Sequence, residues 1–158
     1  MSGIERLLSS GNVYVMSFKP LFSQKILSGE MDCEVRTLFH RLKPRDIVLI
    51  YSSRPVSAFQ GILYIDYVVT GYYREIIEAI DRYCIMFDRD NRLFIERMYS
   101  RSRRKLILAR IGPVIVFREE VGLDKIRKQW RNYRPPISYT KTTKQIAYHI
   151  LRESKTIG

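Results

Sequence analysis

The run Asp46-Ile47-Val48-Leu49-Ile50-Tyr51-Ser52-Ser53 constrains this chain more than any other stretch. Its centre is apolar without alternation, and polar residues bound it at both ends. Such a run reads as a central strand, covered on both faces. The neighbouring segments supply what would surround it. "VYVMSF", residues 13–18, is a strand with Val13 and Val15 on one face. Lys19-Pro20 opens a helix, proline suiting its first turn, and Ser28-Gly29 closes it. "CEVRTLF", residues 33–39, is a further strand. Arg54-Pro55 marks a turn. "AFQGILYIDYVVTGY", residues 58–72, is a long strand or a bent pair with Gly61 at a bulge or kink.

From Tyr73 the period becomes helical, with Ile76, Ile77, Ile80, Tyr83 and Cys84 on one face. Asp88 or Asp90 caps a second helix holding Leu93, Phe94 and Met98. "LILARI" and "VIVF" return to strand character, with Gly112-Pro113 between them. A short basic helix, a Pro135-Pro136 break and a helix from about Thr142 complete the chain. The predicted order is strand, helix, three strands, two helices, two strands, helix. That order, with few hairpin signals, points to an α+β fold: a small mixed β-barrel plugged or flanked by helices. It would be a single domain over residues 1–158, with a helical insert at 72–104 and a basic C-terminal helical tail at 124–158.

Charge narrows the function. Lys and Arg number 28 against 16 Asp and Glu, a net charge of +12. Such a surface attracts polyanions, nucleic acid first and an anionic membrane second, though it also fits plain solubility. No run of 18 apolar residues occurs, and "MSGIERLLSSG" lacks the form of a signal peptide, so a cytoplasmic protein without membrane contact is expected. A domain of this length buries roughly 70% of its unfolded surface and requires no disulfide or metal. Cys33 and Cys84 read as isolated small core residues in a reducing setting. Together with His40 and His149 they show no zinc-binding spacing, so no metal or cofactor is expected.

The stretch "SGEMDCEVR", residues 28–36, carries the chemistry. Alternation puts Cys33 and Val35 on one face of the strand and Glu34 and Arg36 on the other. A guanidinium offers a planar fork of donors to a phosphate or a base edge, and a neighbouring carboxylate can orient it, accept from a base amino group or act as a general base. The same two residues also fit an ordinary ion pair worth about 0–1 kcal/mol.

These residues resemble the opening of the ASCH domains, a branch of the PUA-like β-barrels. The family motif G-x-K-x-x-E-x-R finds Gly29, Glu34 and Arg36 at matching positions here. "RDIVLIYSSRPVSAFQG" resembles the next family block, and "LILARIGPVIVFREEVGLDKI" with "PPISY" resembles the end of small archaeal members. The resemblance covers roughly residues 13–71 and 105–140. It implies a cleft lined by Ser17, Lys19, Glu34, Arg36, Tyr51, Ser52 and Ser53, which would hold a nucleotide or RNA. One position departs: the motif lysine is Met31, and a thioether is neither a nucleophile nor a general base. A binding module is therefore the first reading, RNA ahead of DNA, with a regulatory role in RNA metabolism, translation or transcription. The alternative is a hydrolase of the same fold, a ribonuclease or a nucleoside amidohydrolase, using Glu34 with Lys19 or Lys25. Tyr51 or Tyr72 would stack a base. A third reading, a DNA-binding regulator, would use the C-terminal helices.

Two basic clusters complete the candidate set: Arg101, Arg103, Arg104 and Lys105, and then Lys125, Arg127, Lys128, Arg131 and Arg134 interleaved with Trp130 and Tyr133. Cation and aromatic together hold phosphates while stacking bases, although either cluster also fits a solvated helix face.

Overall fold

The computed structural model describes residues 2–157. The elements run α1 (Gly3–Leu8), β1 (Val13–Phe18), α2 (Pro20–Leu27), β2 (Cys33–Thr37), β3 (Ile47–Ser52), β4 (Ala58–Gly71), α3 (Tyr73–Tyr83), α4 (Arg89–Tyr99), β5 (Leu106–Gly122), α5 (Leu123–Gln129), β6 (Tyr139–Lys141) and α6 (Lys144–Glu153). The six strands form one sheet in the order β2-β5-β4-β3-β1-β6. Only β1 and β3 pair in parallel; the remaining neighbours are antiparallel. The apolar run at 47–52 is indeed an inner strand, and every residue of it is buried.

Side-chain alternation divides the core. Tyr14, Met16 and Phe18 of β1, Val48 and Ile50 of β3, Leu63 and Ile65 of β4 and Ile107 and Ala109 of β5 share one face, where Ile26 of α2 and Met31 join them. Val13, Val15, Ile47 and Leu49 turn the other way, against Leu8 of α1, Ile126 of α5 and Ala147, Ile150 and Leu151 of α6. At the far side Cys33 and Val35 of β2 and Leu106 and Leu108 of β5 pack beneath Ile76, Ile80 and Ile95 of α3 and α4.

β4 and β5 are long because they bend. Ile65 pairs with Ile111 and Leu63 with Val114, so one extra residue lies on β5 at Gly112-Pro113. The two strands expected around that dipeptide are one strand. A bulge accommodates a residue with no N–H to donate, and Pro113 is exposed there. Gly61 sits at another register shift, where a Cβ would stand 2.6 Å from the Ile115 carbonyl oxygen. Gly29 ends α2 with φ +80°, the left-handed conformation that favours glycine.

Three features lie beyond the sequence reading. α1 forms behind a capping box, in which the Glu5 N–H donates to Ser2 Oγ at 3.1 Å and the Ser2 N–H to Glu5 Oε2 at 3.3 Å. The segment read as a helical tail also supplies β6, which pairs with β1. The third is a correction: Cys33 and Cys84 are not isolated thiols but a disulfide, joining β2 to the end of α3 across a sequence separation of 51. Apolar periodicity placed each cysteine in a core and carried no information on their mutual distance. No helix is long and apolar enough to cross a membrane among the described residues.

Closing a loop of 51 residues is worth about 4 kcal/mol in the chain-entropy description. Reduction by dithiothreitol is expected to lower the unfolding free energy by about 2–4 kcal/mol, read as a shifted denaturant midpoint. Replacing both cysteines by serine should abolish the response to reductant.

Candidate nucleic-acid interface

β2 and β6 are the two edges of the sheet, four strands apart, yet side chains join them. Arg36 on β2 donates from Nη2 to the Ser17 carbonyl at 2.8 Å and from Nη1 to the Ser138 carbonyl at 3.2 Å. Its Nε donates to Glu34 Oε1 at 2.8 Å, and its guanidinium lies 4.9 Å from the centre of the Phe18 ring. Tyr139 of β6 adds a second tie. Its hydroxyl accepts from the Phe39 N–H at 2.9 Å and the His40 N–H at 3.1 Å, just past the end of β2. For a guanidinium on β2 to reach a carbonyl of β1 and one just before β6, the sheet must curl on itself into a half-barrel. The register agrees: Glu34 and Arg36 pair with Ala109 and Ile107, whose side chains belong to the concave face.

At this seam lies a cleft of about 300 Å³. Glu34 and Arg36 form its floor, each with only 13% of its side chain exposed. Ser17 lines it and is tied by its Oγ to the Pro136 carbonyl at 2.6 Å. Phe94, Met98 and Tyr99 of α4 form one wall, and Ile137 and Ser138 the other. The mouth is apolar and wet at once: Phe39 and Met98 are about half exposed and Ile137 fully so. Lys19 enters at the mouth with Nζ 5.6 Å from the Phe94 ring centre. Arg104 lies 5.0 Å from the centre of the Phe39 ring, bringing the cluster at 101–105 to the rim. Arg101, Arg103 and Lys105 are exposed beside it.

Burial pushes the Glu34 carboxyl up from its ordinary value, against the pull of the Arg36 charge and hydrogen bond. Burial, and then the Glu34 charge, raise the Tyr99 hydroxyl. Glu34 Oε1 is taken by Arg36, whereas Oε2 receives no hydrogen bond from a described residue. The floor of the cleft therefore presents one fixed, unpartnered acceptor.

Several expected cleft residues stand elsewhere. Tyr51 is buried against the ring of Phe59, centroids 5.1 Å apart, on the face opposite the cleft, so it has no free surface for stacking. Ser52 is fully buried and bonded through Oγ to Ser23 Oγ at 2.9 Å. Ser53 follows β3 with its N–H on the Phe18 carbonyl and does not line the cleft. Alternation on a strand covered on both faces does not say which face reaches solvent. Lys25 is spent on Asp88 Oδ2 at 3.1 Å and Asn91 Oδ1 at 2.8 Å, a tie between α2 and α4. Tyr72 is about half exposed beside Lys105 but outside the cleft. Arg127, Lys128, Trp130 and Arg131 belong to α5 and its end, which pack on the convex face. Arg36 lines the cleft, but Nε, Nη1 and one N–H of Nη2 are engaged by Glu34, Ser138 and Ser17, which leaves at most one donor for a ligand. Met31 is 3% exposed, in the concave core.

Sequence reasoning missed Phe39, Tyr99 and Ile137. Phe94, Met98 and Tyr99 fall at i, i+4 and i+5 on α4, so a shared face was legible, though not that it borders a cleft.

No protein-family model matches the chain, and no curated protein matches it in sequence. Solved structures match it over nearly its whole length. ASCH from Zymomonas mobilis superposes with a TM-score of 0.74 at 22% identity, covering 89% of this chain and 94% of that one. The N-terminal domain of Staphylothermus marinus McrB follows at 0.58 and 13% identity, covering 89% and 93%. Human THYN1, solved in complex with 5-methylcytosine-containing DNA, superposes at 0.54 and 10% identity, covering 94% and 100%. The chain has the PUA-like fold of the ASCH domains.

Removing Arg36 leaves Glu34 buried without its counter-charge and opens the seam. Arg36→Ala is expected to cost about 3–5 kcal/mol in a denaturant titration. Arg36→Lys should recover only part of this, since one ammonium cannot replace a three-way fork.

Proposed function

We propose that this chain binds single-stranded nucleic acid, RNA ahead of DNA, by seating one unstacked base in the Glu34–Arg36 cleft. The observation that carries this reading is the unpartnered Oε2 of Glu34, held still by Arg36 beneath an apolar, aromatic mouth flanked by cations. A carboxylate acceptor at that depth suits a base presenting an amino group. Phe39 and Phe94 offer ring surface, while Lys19 and Arg104 stand where the adjoining phosphates would lie. The DNA complex of THYN1 supports the reading at the level of the fold. A regulatory role in RNA metabolism, translation or transcription accords with a module that binds without cleaving.

A specific observation also favours the hydrolase reading: a buried carboxyl with a raised pKa stands in a cleft with Lys19 at its mouth. Against it stand the ion pair that occupies Glu34 and the burial of Met31 in the core.

The test is fluorescence anisotropy of labelled single-stranded RNA and matched DNA at two salt concentrations, followed by a gel of the RNA. Salt-sensitive binding to intact RNA is expected, with Phe39→Ala weaker by about 1–3 kcal/mol through lost stacking. RNA cleavage that copurifies with the protein and disappears in Glu34→Gln would establish the hydrolase instead. Absence of binding to either strand would refute the binding module and the ribonuclease, and leave a small nucleoside as the ligand to test in the cleft.

Binding should also depend on pH. The acceptor exists only while Glu34 is ionised, and burial raises its pKa. Affinity is therefore expected to fall with decreasing pH, starting above the ordinary glutamate range. Glu34→Gln should remove that component of the profile.

A further inference from the structure

A second groove, of about 730 Å³, lies between α1, α5 and α6, on the convex side of the sheet. Trp130 lines it, packed on the core below and meeting the His149 ring edge-on with centroids 5.2 Å apart. One wall is α6. Lys144, Tyr148 and Arg152 recur every four residues, stand in one row along that helix and all line the groove. At 1.5 Å per residue the row is about 12 Å long. Lys125 and Lys128 of α5 border an adjoining hollow that shares Gln129 and His149 with the groove. The acids present are Glu5, whose Oε2 caps its own helix at the Ser2 N–H, and Glu153.

A row of cation, aromatic and cation facing a fixed indole, with two more cations at one end, alternates charge and ring surface. That is the alternation of phosphate and base along an unpaired strand. An apolar partner would leave four cations without counter-charge, and an acidic peptide would leave the ring surfaces unused. We infer that this groove is a second contact for single-stranded nucleic acid, separate from the cleft, with a base stacked at Trp130 and Tyr148 and phosphates on Lys144 and Arg152. The inference rests on the reading that the chain binds single-stranded nucleic acid, and assigns that binding a second surface. Lys144, Tyr148 and Arg152 of α6 were not singled out by the sequence; Trp130, Lys125 and Lys128 were, and the fold gives them these partners.

Trp130 is the only tryptophan of the chain, so its emission reports this groove alone. The intact protein is titrated with a short single-stranded RNA of mixed sequence, following tryptophan emission and, in parallel, anisotropy of the labelled RNA. Quenching of Trp130 that saturates with binding is expected. The Lys144→Ala/Arg152→Ala double variant should lose most of the quenching, bind at least fivefold more weakly and reduce the slope of log K against log salt by roughly 1.4. Both positions are exposed, and circular dichroism checks that the variant is folded. The cleft variant Phe39→Ala should keep the quenching at saturating RNA. Anisotropy that reports binding while Trp130 emission stays constant would overturn the second contact and leave the cleft reading standing. Absence of both signals would overturn the two together.

Discussion

The guanidinium of Arg36 does the work of a missing strand pairing. A six-stranded sheet has two edges, and here the edges, β2 and β6, come close without a main-chain ladder between them. Arg36 spans the gap by donating to the Ser17 and Ser138 carbonyls, and the Tyr139 hydroxyl returns the contact to the backbone past β2. Carbonyls at such a seam need donors, and a side-chain fork supplies them where no ladder forms. Glu34 follows from this. A nearly buried guanidinium requires a counter-charge, so the carboxylate is drawn into the barrel despite the cost that raises its pKa. The cleft is thus a consequence of incomplete closure, and its acceptor is part of the device that limits the opening.

The wall opposite the seam depends on α4, which enters the structure through several ties. The disulfide fixes the end of α3 to the start of β2. The Ile85 N–H donates to Asp32 Oδ2 at 2.9 Å, and the Asp32 N–H to the Met86 carbonyl at 3.0 Å. Lys25 then holds Asp88 and Asn91, and Asp88 caps α4 through the Asn91 N–H, which lowers its pKa together with the Lys25 contact. These contacts position Phe94, Met98 and Tyr99 over the cleft. Reduction of the disulfide would remove one tie and leave the polar ones.

The positive charge is distributed over two unlike surfaces. At the cleft, cations flank an apolar mouth and a single deep acceptor, the arrangement proposed above to seat one base. On the convex side, cations and rings alternate along a shallow groove, the arrangement inferred above to hold a length of strand. The burial that distinguishes the first from the second also makes it the more sensitive to the ionisation of one group.

The strands at 13–18 and 47–52, the helix stopped by Gly29 and the two helices after Tyr73 were legible because local periods and φ preferences determine them. So were the alternation that separates Cys33 from Glu34 and the net charge. The capping box Ser2–Glu5 was legible in principle, but β6, three residues long, carries no period of its own. The partners of Arg36, the pairing of Cys33 with Cys84, the burial of Tyr51 and Ser52 and the assembly of Trp130 with α6 were decided by the tertiary structure alone. The curl of the sheet brings Arg36 to its partners, helix packing on the two faces decides the rest, and the curl sums twist and bulges over β4 and β5. A sum over two long strands leaves no mark on any short stretch of sequence.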